Sequence, residues 1–239
     1  MSDEKETVDY WIRAASGRGR LRERLRIRCK LGLWRATLIF SYGLKRLLDI
    51  TAASGALVVG SPLFGLTALL IKLEDGGPVF FQQKRVGYRG KLFGMFKFRS
   101  MVTNAEEVKK RLEAENEMQG GVIFKMKNDP RVTRVGRVIR KYSIDELPQF
   151  WNVLVGDMSL VGPRPPLPAE VEQYLPEERQ RLLAKPGITC LWQVSGRSEI
   201  DFRGQVKLDI DYIRSTSILT DIKLLLMTVP AVLLGKGAY

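Results

Sequence analysis

The sequence predicts a mixed α/β protein held at a membrane, with one membrane-inserted helical segment, a compact cytoplasmic domain and amphipathic helices at the interface. Three observations carry this expectation. A nearly unbroken apolar run occupies residues 47–73, short β-like runs follow at 79–83 and 92–98, and basic residues flank the apolar run on both sides. With 239 residues, 45% hydrophobic and 27% charged, the chain has material for one sizeable core plus a membrane-inserted piece. We expect a basic extension over 1–44, a membrane helix over 45–75 and a cytoplasmic domain over 76–239.

The polar, acidic start, Met1 to Asp9, precedes an arginine-rich run from Arg13 to Lys30, and no apolar signal-peptide core lies ahead of it, so no secretory signal is expected. Leu31 to Leu44 is more apolar but carries Arg35, Ser41 and Gly43, which suits a helix near a membrane surface. Leu47 to Leu73 is long enough, at ~1.5 Å per residue, to cross a ~30 Å hydrocarbon core. Ser61-Pro62 lies near its middle, where proline removes a backbone donor and predicts a kink. Lys45 and Arg46 before the run, and Lys84, Arg85, Arg89 and Lys91 after it, favour the cytoplasmic side for both ends. A helix that breaks at Ser61-Pro62, dips into the bilayer and returns meets both constraints; a proline-kinked spanning helix is the other reading.

After the turn cluster Glu74 to Pro78, the two β-like runs open a soluble body. Asn104 to Met118 reads as an exposed helix capped by Thr103 or Asn104, and Gly121 to Lys127 as a strand. Arg137 to Val155 reads as helical with an interruption at Pro148, and Ala169 to Leu183 as one or two amphipathic helices. Ile188 to Val194 reads as a strand and Phe202 to Ile213 as a helix. Leu219 to Leu234 is apolar on nearly every side, which fits either burial against the membrane face or an ordinary core helix.

A formal charge of +13 calls for a polyanionic partner: nucleic acid, anionic lipid or a phosphorylated substrate. Zinc-finger spacing, an RNP-like aromatic string and a basic recognition helix are all missing, so nucleic acid is not expected. Without histidine, acid–base and metal chemistry must rest on carboxylates, which suit a hard cation such as Mg²⁺. Cys29 and Cys190 form neither a CxxC nor a disulfide frame. GxxxxGK[ST] and GxGxxG are absent, which removes the P-loop and Rossmann readings.

Adjacent Asp145 and Glu146 point about 100° apart on a helix, so one carboxylate can attack phosphorus while the other holds a metal. An acidic pair at a helix start is also ordinary capping. Four stretches place a cation beside small or aromatic residues: Lys84 to Gly87, Gly90 to Phe93, Gly162 to Pro165 and Ser195 to Arg197. Each can set a cation over a diphosphate, and each taken singly is more often just a solvated loop.

Taken in order, KRLLDI (45–50), SPLF (61–64), QQKRVGYRGKLFGMFKFRSM (82–101), IRKYSIDELPQFWNVLVGDMSLVGPRP (139–165) and KPGITCLWQVSGR (185–197) resemble the bacterial sugar transferases, the monotopic polyprenyl-phosphate hexose-1-phosphate (phosphoglycosyl) transferases. The resemblance runs from about Lys45 to Tyr239 and is to the compact form, without the additional spanning helices and extra domain of larger members. It implies transfer of a sugar 1-phosphate from a nucleoside diphosphate sugar, usually a UDP-sugar, to undecaprenyl phosphate at the cytoplasmic face of the bacterial inner membrane, initiating a surface glycan. By resemblance, Asp145 would attack the β-phosphate, giving an aspartyl phosphosugar, and Glu146 would ligate Mg²⁺. Lys91, Arg140, Arg164, Arg197 and Asp209 would fall in the active site, the cations on phosphate or nucleotide. Ser61 and Pro62 would form the helix break of a re-entrant segment. A homodimer is compatible with this reading, and a catalytically silent membrane-binding or assembly protein of the same fold is its rival. The sugar is not legible. Cys190 stands where the family often has glycine, a local packing difference.

Overall fold

The computed structural model describes residues 17–112, 129–196 and 200–233. The expected strand at Gly121 to Lys127, the far end of the charged helix, the first arginines of the basic run and Arg197 lie outside them. The chain forms two compact units, Met1–Arg46 and Leu47–Tyr239.

One helix, α1, runs from Gly17 to Asp75. It is long and apolar enough to cross a membrane. Its helical assignment continues through Ser61 and Pro62. Pro62 thus lies inside the helical assignment, where proline costs one backbone donor and favours a kink. Within the second unit, two stretches of α1 are buried. Asp49 and Ala53 face inward near one end and Thr67 and Ile71 near the other, each pair spaced i, i+4, while Val58, Val59, Leu63 and Leu66 between them are exposed.

β1 (Phe80–Val86) and β2 (Leu92–Phe98) pair antiparallel, from Phe80 opposite Phe98 to Val86 opposite Leu92. The hairpin closes through a single turn, Tyr88–Gly90, in which Arg89 takes a left-handed φ of 55°. α2 (Ala105–Leu112) follows. α3 (Arg134–Lys141) starts at Thr133, whose hydroxyl accepts from Gly136 N at 2.9 Å, and ends before Tyr142. The Glu74 carboxylate at the end of α1 accepts from Arg134 N at 2.7 Å and Val135 N at 3.2 Å, capping the first turn of α3.

α4 (Gln149–Val155) leads to β3 (Ser159–Val161), which pairs parallel with β4 (Gly187–Thr189). α5 (Pro168–Glu172) and a 3₁₀ turn at Glu178–Leu183 lie between these strands. The expected strand at Ile188 to Val194 is corrected: β4 ends at Thr189, and α6 (Leu191–Ser195) begins after extended Cys190. Among the described residues the ladder partner of β4 is β3, itself three residues long, so the pairing ends at Thr189. Gly162 and Gly187 meet backbone to backbone, and a Cβ on Gly187 would sit 2.1 Å from Gly162 N. That contact, with Gly187 N donating to Pro163 O at 2.9 Å, presses the Gly162–Pro165 loop against β4.

α7 (Phe202–Arg214) is capped by Asp201, and α8 (Ile218–Leu233) closes the described chain. In α8, Leu224 is buried while Leu219, Leu226 and Val229 are exposed. One face therefore joins the core and the other is apolar and open. Asp221 is buried on the core side, where it accepts from the Tyr212 hydroxyl at 2.7 Å. The main core gathers Ala53, Phe93, Met95, Met158, Leu160 and Leu224. A second cluster joins Ile71, Phe98 and Ile139, with Phe64 against Phe98 at a centroid separation of 5.2 Å.

Candidate active site

Helix α3 cannot run on into the acidic pair, because Ser143 adopts φ 55° and ψ 21° and turns the chain left-handed. A non-glycine residue held there costs roughly 1–3 kcal/mol. The expected continuous helix from Arg137 is thus corrected to α3, a one-turn 3₁₀ segment at Ile144–Glu146, and α4, with Pro148 as the cap of α4. The reversal turns Asp145 into the body, where it is 8% exposed.

Strand β2 supplies a residue that sequence reasoning missed. Lys97 Nζ donates to Glu146 Oε1 at 2.8 Å and lies 3.9 Å from Asp145 Oδ2. A lone cation in an otherwise apolar strand, LFGMFKF, was the available signal. Asn152 on α4 fixes the distance between strand and dyad. Its Oδ1 accepts from Phe96 N at 2.9 Å and its Nδ2 donates to Gly94 O at 2.8 Å, so one buried amide serves the outer edge of β2 like a neighbouring strand.

The two carboxylates are driven apart electrostatically. Burial pushes Asp145 up, to about 6, with the Glu146 charge adding to it and Lys97 only partly opposing. Glu146 also meets a burial penalty, but the Lys97 and Arg164 charges together with the Lys97 hydrogen bond outweigh it, and its carboxyl is held below the ordinary range. One group is thus firmly ionised beside another with a raised pKa, an arrangement that separates chemical roles.

Glu146 also lines a small pocket together with Arg85, Gln149, Arg164 and Gly187. Arg85 is buried, its Nη1 donating to Pro165 O at 2.9 Å and its Nη2 to Gln83 Oε1 at 2.7 Å, both neutral acceptors. Burial, and behind it the like charge of Arg164, pull its pKa down to about 10, so it stays charged at neutral pH. Two guanidinium groups beside one pocket are suited to hydrogen-bonding phosphate oxygens.

Among the expected site residues, Asp145, Glu146 and Arg164 meet here, and the charge of Arg140, in the last turn of α3, also acts on Asp145. Asp209 lies deeper, 1% exposed, ion-paired with Arg181, whose Nη1 donates to Tyr174 Oη at 2.9 Å. Burial raises Asp209 to about 6 against the opposing pull of Arg181 and Arg164, and its Oδ1 finds no partner among the described residues. Lys91 is not brought to the dyad: it sits at the hairpin turn, ~20 Å along β2 from Lys97 at the strand rise. Arg197 lies outside the described residues. Arg181 and Tyr174 gave no sequence signal, because nothing in their neighbourhood distinguishes a buried arginine from a surface one.

Mg²⁺ bound through substrate phosphates needs only one or two protein carboxylates. The ionised Glu146 beside Asp145 fits that requirement, although among the described residues no cluster of His, Cys, Asp or Glu large enough to cage a metal by itself occurs.

Fold and site together define a mixed α/β protein with a long apolar helix and an acidic pair of which one member, Glu146, lines a small pocket with Arg85 and Arg164. A family model described as bacterial sugar transferase matches residues 40–235, and the chain belongs to that family. It is 52% identical over 198 residues to the galactosyl transferase CpsE of Streptococcus agalactiae, covering 81% of this chain and 43% of that protein. It is 48% identical to the undecaprenyl-phosphate galactose phosphotransferase of Salmonella typhimurium, covering 82% of this chain and 42% of that protein. With the exopolysaccharide production protein ExoY of Rhizobium meliloti it shares 42% identity over 82% of this chain and 88% of that protein. The chain therefore spans less than half of the first two relatives and most of the third.

Proposed function

We propose that the protein transfers a sugar 1-phosphate from a nucleoside diphosphate sugar, a UDP-hexose, to undecaprenyl phosphate, initiating synthesis of a surface glycan. The observation that carries this is the pairing of a buried carboxylate, Asp145, with an ionised Glu146–Lys97 pair beside the Arg85–Arg164 pocket. Relatives named for undecaprenyl-phosphate galactose and glucose transfer and for UDP-galactose–lipid carrier transfer support the substrate classes.

In the first step an Asp145 oxygen attacks the β-phosphorus of the nucleotide sugar. The bond from that phosphorus to the bridging oxygen breaks, and the nucleoside monophosphate leaves with the electron pair. In the second, an oxygen of the lipid phosphate attacks the same phosphorus and the aspartyl–phosphorus bond breaks. Asp145 is restored and the lipid diphosphate sugar departs. Lys97 and the two arginines offset the repulsion between carboxylate and phosphate, and no proton need be supplied by histidine. Glu146 would hold Mg²⁺, which when bound neutralises phosphate charge.

This reading places the body at the cytoplasmic face of the bacterial inner membrane. Burial near both ends of residues 47–73 supports a re-entrant segment, since a helix crossing at right angles carries its ends to opposite sides. Release of UMP from a panel of UDP-sugars, with undecaprenyl phosphate and Mg²⁺, tests the function. Lipid-dependent release lost in Asp145→Asn is expected. Folded protein silent across the panel and with other nucleotide donors would favour a non-catalytic member of the fold.

A further inference from the structure

Arg22, Arg24, Arg26, Arg28 and Lys30 recur at every second position in the N-terminal unit, and all are exposed. Such alternation is a strand's period, yet here the chain is helical. At about 100° per residue, Arg22, Arg26 and Lys30 fall on one side of the helix and Arg24 and Arg28 on the opposite side. Exposed Leu21, Leu25 and Ile27 fall between them. No single apolar face results, so this stretch is not built to lie flat on a membrane as an amphipathic helix does. The cations span ~12 Å along the axis at the helical rise. That is comparable with a headgroup layer of ~5–8 Å together with part of the surrounding ion atmosphere, ~8–10 Å deep. One helical turn beyond Lys30 stands Trp34, 61% exposed, followed by exposed Leu38, Ile39 and Phe40. Arg35 follows Trp34, and Lys45 and Arg46 stand just ahead of the apolar run at 47–73, so cations interleaved with aromatic and apolar side chains, the mixture met at a membrane–water interface, continue from Arg22 to Arg46. The family match begins at residue 40, so this stretch is not part of the shared core.

We propose that residues 22–30 form a cationic collar that binds anionic phospholipid headgroups around the helix at the membrane surface, ahead of the apolar run at 47–73. A nucleic acid would satisfy the charges but leave the interleaved leucines and isoleucine in water, whereas a headgroup layer receives both. The proposal does not rest on sugar transfer.

Cys29 is a natural reporter, exposed within the collar, while Cys190 is buried. Full-length protein is placed in nanodiscs of phosphatidylcholine alone or mixed with phosphatidylglycerol, and the rate of labelling by an uncharged, water-soluble maleimide is followed. A Cys29→Ser control assigns the signal. Labelling at least about tenfold slower in the anionic discs, with the difference erased by ~1 M salt, is expected. A variant with Arg22, Arg24, Arg26 and Arg28 all changed to Gln should label alike in both discs. Equal rates for the unmodified protein overturn the proposal, as does protection that persists in high salt. Protection by an oligonucleotide without any effect of phosphatidylglycerol would assign the collar to nucleic acid instead. Because turnover is not the readout, failure here leaves the transfer reaction standing, and UMP release in the same discs tests that reaction separately.

Discussion

Lys97 divides its charge unequally between two neighbouring carboxylates: its ammonium lies 2.8 Å from Glu146 Oε1 and 3.9 Å from Asp145 Oδ2. Glu146 is thereby held ionised, while Asp145 receives the same ammonium only at the longer distance. Replacing Lys97 by Met removes the charge and should lower kcat about 10²- to 10³-fold, as loss of one preorganised electrostatic contact does. Lys97→Arg, which keeps the charge but not its position, should retain more activity. Carbon-13 NMR of the Glu146 carboxyl should show its pKa moving up in Lys97→Met, and an unmoved value would contradict the pairing.

Asp145 titrates above its ordinary 3.8, at about 6. For an acid raised on folding, the native state binds protons more tightly than the unfolded chain. Its stabilising effect is full below about pH 3.8 and is lost as pH rises through about 6. At neutral pH the ionised group therefore opposes folding, and Asp145→Asn should raise stability by about 1–2 kcal/mol while abolishing turnover. Thermal melts at pH 5 and pH 8 should show the gain growing with pH. In the reaction proposed above, attack by Asp145 requires its ionised form, so the single-turnover rate should fall on acidification through the same region.

Asn152 should matter as much as a charged residue. Asn152→Ala leaves Phe96 N–H and Gly94 C=O without their partner, and roughly 2–4 kcal/mol of stability should be lost for two buried bonds. Hydrogen exchange at Phe96 should accelerate in the variant. An unchanged exchange rate would mean that the strand edge is held by something else.

The Arg181–Asp209 pair offers a test by double substitution. Removing either partner strands a buried charge, and Arg181→Met alone should cost about 3–5 kcal/mol. Arg181→Met combined with Asp209→Leu should recover much of that loss in denaturant melts. Full recovery of stability without recovery of activity would tie Asp209 to function beyond packing.

The acidic pair, the arginine of the Gly162–Pro165 loop and the β hairpin were all legible in the sequence, because each is a local pattern: adjacent carboxylates, a glycine–proline turn, alternating apolar residues. Lys97 was visible only as an oddity in an apolar strand, and Lys91, six positions earlier, was the cation expected instead. The strand period does not reveal which of its cations faces the dyad, since that depends on how α4 docks on β2. The paired β3 and β4 were similarly obscure, being short strands far apart in the chain whose contact rests on two glycines.

By itself the sequence determined the composition-level facts: a cationic chain without histidine, an apolar run with proline near its middle, and an adjacent carboxylate pair open to a catalytic or a capping role. Only the tertiary structure decided how those carboxylates differ. The left-handed turn at Ser143 buries Asp145, while Lys97 reaches Glu146 from a strand 49 positions earlier. Burial and the nearest opposite charge set a carboxyl group's ionisation, and both are properties of chain segments brought together in space. Adjacent residues of nearly identical chemistry can thus receive opposite shifts that no local pattern encodes.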